Sequence, residues 1–141
     1  MSKEFDECLK KRKITEFERA VSLVSKELDS AVSDLKSAKD SFDEKNYKWS
    51  IVQSYYSMFH SARTLIYSKG YRERSHYCLN IAIRELFVAE GKLSVTLVEA
   101  LQLGKTLREN ADYYSEFSEE AADQMIKNAQ EFLETAKKLV K

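Results

Sequence analysis

The stretch YYSMFHSAR, residues 55–63, decides how this chain folds. At helical spacing its apolar members belong to a stripe that continues on both sides: Val52, Tyr55, Phe59, Ala62 and Ile66. Beside it runs a second stripe of rings and cations: Tyr56, His60, Arg63 and Tyr67. The pattern predicts a helix from Asn46, a fair N-cap residue, to Lys69, with Gly70 ending it. We expect the first stripe to lie in a core and the second to form a dimer or partner surface.

Composition favours helices along the whole chain. Its 141 residues include 3 glycines and no proline, so the chain has few of the residues that usually form turns or end strands. The length suits one domain that buries a single core. We therefore predict an all-α fold in one domain over residues 1–141.

Four more helices are predicted around the one that contains residues 55–63. A heptad stripe from Thr15 to about Glu44 predicts a long first helix; the stripe comprises Phe17, Val21, Val24, Leu28, Ala31, Leu35, Ala38 and Phe42. The third helix covers about 76–90, the fourth starts around Ser94, and the fifth begins at Ser118. Gly104 interrupts the apolar stripe of the fourth helix, which suggests that another helix approaches closely there.

Charge and cysteine content narrow the functional classes. Basic and acidic residues number 23 each, so any binding to nucleic acid must use a local patch. One candidate patch, for phosphate, consists of Lys69, Arg72, Arg74 and His76. Cys8 and Cys78 lack metal-ligand spacing and are expected to be reduced. The sequence has no hydrophobic signal region and no apolar segment of membrane length, so it predicts a cytoplasmic protein. We expect the protein to need neither a metal nor a cofactor.

Arg108, Asp112 and Tyr113 form the last candidate constellation. Arg108 and Asp112 stand four residues apart and can form an ordinary ion pair on one helix face. Arg108 and Tyr113 lie roughly 140° apart around an unbroken helix. We therefore expect a site shared by these two residues to need a helix end or a second subunit.

These motifs together resemble the HEPN-domain family, in particular its small stand-alone prokaryotic members. The resemblance is strongest over residues 35–140, and residues 1–14 are interpreted as an N-terminal extension. It rests on the following, in order: Tyr55-Tyr56, Phe59-His60, Ala62-Arg63, Ser75-His76, Leu86-Phe87-Val88, Gly91-Lys92-Leu93, and Arg108 with Ala111-Asp112-Tyr113.

The resemblance implies a four- to five-helix up-and-down bundle that forms a homodimer. Many members act with a minimal nucleotidyltransferase as toxin and antitoxin, the HEPN partner being a metal-independent ribonuclease. Their nuclease motif is an arginine followed after four to six residues by histidine. Here Arg108 matches the arginine, but Tyr113 stands where the histidine is expected. With a pKa near 10, tyrosine is a poor general base at neutral pH.

Three hypotheses follow. The first is a binding module that acts with a nucleotidyltransferase partner or binds a nucleotide or RNA phosphate, using Arg108, Asp112 and Tyr113. The second is a metal-independent endoribonuclease assembled at a dimer interface, in which Tyr113 or a histidine transfers the proton. The third is a purely structural helical adaptor, whose contact surface is the second stripe of the helix, which contains Tyr56, His60 and Tyr67.

Overall fold

The computed structural model describes residues 2–140, which form six α-helices and one small antiparallel sheet. The all-α prediction is therefore confirmed. The elements in chain order are α1 (Lys3–Lys10), β1 (Ile14–Glu16), one 3₁₀ turn (Val21–Leu23), α2 (Val24–Asp43), α3 (Tyr47–Ser68), β2 (Tyr71–Glu73), α4 (His76–Ile83), a π-helical turn (Arg84–Val88), α5 (Val95–Tyr114) and α6 (Glu119–Leu139).

Helix α3 is the centre of the bundle and packs against α2, α4, α5 and α6. Small residues form its contact with α2. The Ser50 hydroxyl donates to the Ala38 carbonyl at 2.9 Å, and the Ser57 hydroxyl donates to the Ala31 carbonyl at 2.8 Å. All four residues are fully buried. These bonds satisfy hydroxyls that would otherwise lose their water partners on burial.

The predicted heptad stripe is confirmed along α2, but its predicted start is wrong. Ala31, Leu35 and Ala38 are buried, whereas Val21 is 59% exposed. Thr15 lies in β1, where it pairs with Arg72 of β2. Pairing with β2 holds residues 14–16 extended, and the helix starts only at Val24.

The other predicted helices are confirmed with one change of boundary. Helix α4 ends at Ile83 and continues as a π-helical turn, rather than as one helix to residue 90. Ser94 and Ser118 cap α5 and α6, since each hydroxyl accepts a backbone N–H. The predicted close approach at Gly104 is also confirmed. A Cβ atom there would lie 2.8 Å from the terminal methyl of Met58, which belongs to α3.

A disulfide joins Cys8 in α1 to Cys78 in α4, with their Cα atoms 5.8 Å apart. The prediction of reduced thiols is therefore wrong, because two cysteines separated by 70 positions meet only through the fold. Helix α1 also places Phe5 in the core with no exposed surface. The N-terminal extension is thus an integral part of the packing. Within residues 2–140, no helix combines the length and the apolarity that a membrane crossing requires.

We expect the substitution Cys8→Ser to lower the free energy of unfolding by about 2–4 kcal/mol. The disulfide closes a long loop, and its loss enlarges the conformational freedom of the unfolded chain. Urea unfolding followed by circular dichroism measures the change.

The matched control is a reductant such as TCEP, which should destabilise the parent chain and leave the Cys8→Ser variant unaffected. An unchanged urea midpoint for the parent chain in TCEP would contradict a stabilising disulfide.

Candidate functional site

Arg108 in α5 lies in a cluster of tyrosine rings at the contact of α5 with α3. Its side chain is 11% exposed. The guanidinium carbon lies 5.5 Å from the ring centre of Tyr55, 5.8 Å from that of Tyr56 and 5.7 Å from that of Tyr113. These distances are within the range of cation–π attraction. Three aromatic faces therefore hold one cation at a mostly covered position.

The polar contacts of Arg108 leave part of its hydrogen-bonding capacity unused. Nη1 lies 3.8 Å from a carboxylate oxygen of Asp112 and donates to the Tyr113 hydroxyl at 3.5 Å. Nε is buried and has no hydrogen-bond partner among residues 2–140. An unsatisfied buried donor is costly, and an acceptor supplied by a ligand or by water would remove that cost.

Arg108 and Tyr113 meet next to a helix end, which is one of the two arrangements expected from the sequence. They contact each other within one chain, although α5 continues unbroken to Tyr114. Both side chains are long, and Tyr113 belongs to the last turn of the helix. Beyond that turn Ser115 adopts a left-handed conformation with φ 54°, which ends α5. The Tyr113 ring is 66% exposed, so no packing prevents it from folding back toward Arg108.

His76 reaches the same cluster through Tyr55. The Tyr55 hydroxyl and Nδ1 of His76 are 2.5 Å apart. The imidazole also stacks on Phe59, with ring centres 4.9 Å apart and planes 27° apart. Ser75 caps α4 by accepting the N–H of Cys78, which fixes the first residue of that helix next to α3. Tyr55 therefore contacts both His76 and Arg108, and all three residues belong to one chain.

The electrostatic surroundings keep His76 neutral. Burial lowers its pKa, and the positive charges of Lys105 and Arg108 lower it further, whereas Glu109 opposes them. Burial also raises the pKa of Tyr55, so its phenol stays protonated. In the tautomer whose Nδ1–H donates to Tyr55, Nε2 of His76 is free to accept a proton.

The predicted partner surface does not form as one surface. Tyr67 is only 3% exposed and bonds with Arg63. Arg63 Nε lies 3.1 Å from Glu73 of β2, and His60 Nδ1 lies 2.6 Å from Glu27 of α2. These residues form an internal polar network that joins α2, α3 and β2. Of the four predicted members, Tyr56 alone is exposed, at 37%.

The four predicted phosphate contacts also separate in the structure. Arg72 and Arg74 lie exposed on the outer side of β2 and its extension, and His76 points toward Tyr55. Lys69 is exposed beside Phe87, with Nζ 5.6 Å from the ring centre. The strand alternates its side chains, and α4 begins immediately after it, so neighbours in sequence diverge in space. Among the described residues, no group of three or more His, Cys, Asp or Glu residues could hold a metal ion.

Sequence reasoning assigned Tyr55 and Phe59 to the core and missed their part in the site. Tyr55 is indeed 1% exposed, yet its ring contacts Arg108 and its hydroxyl contacts His76. One signal was available: a buried tyrosine hydroxyl needs a hydrogen-bond partner, which argues for a polar group beside any tyrosine on a core stripe.

Comparison with known proteins gives two kinds of match. The family model described as "HEPN domain" matches residues 24–139. "Putative toxin MJ0605" from Methanocaldococcus jannaschii is 30% identical over 115 residues, which cover 81% of this chain and 86% of that protein. "Putative toxin MJ0142" from the same organism is 24% identical over 117 residues, which cover 82% and 80%. The family match begins at the first residue of α2, so α1 and β1 lie outside it.

We expect His76 to titrate below the ordinary histidine pKa of 6.5. NMR titration of its Cε1–H resonance measures this directly. Removing a neighbouring positive charge with Lys105→Gln should raise the pKa of His76, and removing a negative one with Glu109→Gln should lower it.

The lowered pKa of His76 makes the stability of the fold depend on pH, and linkage gives the direction of that dependence. The unfolded chain binds the proton first, so His76 destabilises the fold as the pH falls from about 6.5 toward its folded pKa. His76→Gln should remove that contribution from the pH dependence of Tm. A His76 resonance that titrates at or above pH 6.5 would contradict the assignment.

Proposed function

Because the chain belongs to the HEPN-domain family, we propose that it is a toxin-type HEPN module that binds the phosphate of a nucleotide or of RNA at Arg108. The similarity to two proteins named as toxins supports the toxin part of this proposal. One observation carries the binding part: Arg108 is mostly covered by three tyrosine rings, and its Nε has no partner among residues 2–140.

The chemistry of this cluster suits a nucleotide. A guanidinium binds phosphate through paired N–H donors, and Asp112 orients it from the same helix face. Tyr56 and Tyr113 are exposed at 37% and 66%, so their rings are available to stack on a base. Of the four residues first assigned to a phosphate patch, His76 reaches this cluster through the Tyr55 hydroxyl, whereas Lys69, Arg72 and Arg74 lie elsewhere on the surface.

The family membership also motivates the partners in this proposal. We infer a homodimer, with the exposed Tyr56 near its contact, and a minimal nucleotidyltransferase as the protein partner. We infer a cytoplasmic location as well, which has to accommodate the Cys8–Cys78 disulfide because disulfides are rare in most reducing cytosols. The adaptor alternative loses its basis, since three members of its contact surface are engaged in the internal network.

We expect Arg108→Gln to weaken binding of ATP and of a 20-nucleotide oligouridylate by about ten- to a hundredfold. The reason is the loss of a charged hydrogen-bond donor, typically about 1.5–3 kcal/mol. Isothermal titration calorimetry measures ATP binding, and fluorescence anisotropy measures RNA binding. The matched control is Arg84→Gln, which removes an equal charge from a side chain that bonds only Gln102 at an exposed position among the described residues. Equal affinities for the Arg108→Gln and parent proteins would refute the proposal.

A second candidate function is metal-independent endoribonuclease activity, favoured by the position of His76. Its neutral imidazole is poised to take the proton of a ribose 2′-hydroxyl, whose oxygen then attacks the phosphorus. The bond from phosphorus to the 5′-oxygen breaks, which leaves a 2′,3′-cyclic phosphate, and the 5′-oxygen takes a proton from water. Arg108 stabilises the negative charge on the phosphoryl oxygens. Tyr113 would position Arg108 through its hydroxyl.

This second candidate predicts cleavage of oligouridylate in the presence of EDTA. His76→Gln and Arg108→Gln should each reduce the rate by about a hundredfold or more, because each removes a group that acts in the transition state. His60→Gln is the matched control, because that histidine bonds Glu27 in the internal network. Turnover that persists unchanged in both site variants would mark the activity as contamination.

A further inference from the structure

Two basic segments of the chain meet on the outside of the small sheet. Residues 10–13 are four consecutive cations at the end of α1, and all four are exposed. The backbone N–H of Arg74 donates to the Lys13 carbonyl at 2.8 Å, and Thr15 pairs with Arg72. The sheet thereby brings the N-terminal cations next to the arginines of β2, although about 60 positions separate them in sequence.

The two segments enclose a notch of about 330 Å³, which we call the arginine notch. Its charged lining is three cations and one carboxylate; the full lining is Arg12, Thr15, Glu16, Phe17, Arg72 and Arg74. None of the three arginines forms an ion pair within 4 Å among residues 2–140. Their charges are therefore available to a ligand.

The fold directs these arginines outward. Alternation along β2 turns Glu73 inward, where it pairs with Arg63 at 3.1 Å, and leaves Arg72 and Arg74 exposed. Arg72 lies 5.1 Å over the ring centre of Phe17, which orients its guanidinium. Arg12 adopts a left-handed conformation with φ 59° at the turn that follows α1. The one carboxylate between the two arginines of β2 is thus removed from the notch.

We propose that the arginine notch binds consecutive phosphates of a single-stranded RNA. The proposal rests on the proposed function and extends it, because Arg74 precedes His76 by two residues. Their Cα atoms are at most about 7 Å apart. Because the side chains of Arg74 and His76 point in different directions, one strand that enters the site of Arg108 and His76 has to turn around the start of α4 to reach the notch. A continuous polyanion can contact the site of Arg108 and the arginine notch at the same time, whereas a free mononucleotide is too short to contact both. Arg12 lies outside residues 24–139, so the notch needs a segment beyond the family match.

The test compares two triple variants by fluorescence anisotropy with a 20-nucleotide oligouridylate at several KCl concentrations. Arg12→Gln, Arg72→Gln and Arg74→Gln together remove the notch charges. Lys36→Gln, Lys39→Gln and Lys137→Gln remove three charges from α2 and α6 and form the matched control. Each phosphate contact to a single strand contributes about 0.7 to the slope of log affinity against log salt. We expect the notch variant to lose about 2 from that slope and about tenfold or more in affinity.

Binding of ATP separates this inference from the proposed function. The notch variant should bind ATP as the parent protein does, whereas Arg108→Gln should lose ATP binding if the proposed function holds. A double variant, Arg12→Gln with Arg74→Gln, leaves the Arg72–Phe17 contact in place and guards against a fold defect, which circular dichroism would detect. Equal slopes for the notch and control variants would overturn the inference. A 20-residue polyglutamate that competes equally with the RNA would overturn it in favour of an acidic protein partner.

Discussion

The hydrogen bonds from two serines of α3 to alanine carbonyls of α2 are the constraint on which the rest of the structure depends. Ser50 and Ser57 are seven residues apart, as are Ala31 and Ala38, so the contact repeats after two helical turns. Side chains this small allow the two helices to approach closely. A larger side chain at either serine would separate α2 from α3 and leave their buried polar groups without partners.

With one face of α3 committed to α2, its aromatic residues serve both the core and the candidate site. Tyr55 is buried in the bundle, yet its ring contacts Arg108 and its hydroxyl contacts His76. The core packing therefore sets the positions of the two candidate site groups, Arg108 on α5 and His76 on α4. This arrangement keeps the site ordered before any ligand arrives, which reduces the entropy lost on binding.

The helices were predictable because spacing, serine caps and glycine stops act locally, as at Ser118 before α6 and Gly70 after α3. Asn46 stands before α3 as predicted but makes no side-chain cap hydrogen bond. Long-range pairing was not predictable. The pairing of β1 with β2, the disulfide and the Glu73–Arg63 pair each depend on the fold that brings distant residues together. The candidate site was predicted in part: Arg108 contacts both Asp112 and Tyr113. His76 was assigned to a basic patch, and its contact with Tyr55 beside Arg108 could not be predicted because it depends on how α4 packs against α3.

The first twenty residues have a consequence for what counts as the folding unit. The family match starts at residue 24, but Phe5, Cys8, Ile14 and Ala20 are at most 2% exposed and pack into the same core as α3 and α4. A chain trimmed to the matched region would expose an apolar groove along the bundle and lose β1, the partner strand of β2. We therefore expect the smallest unit that folds on its own to be larger than the region that the family model matches.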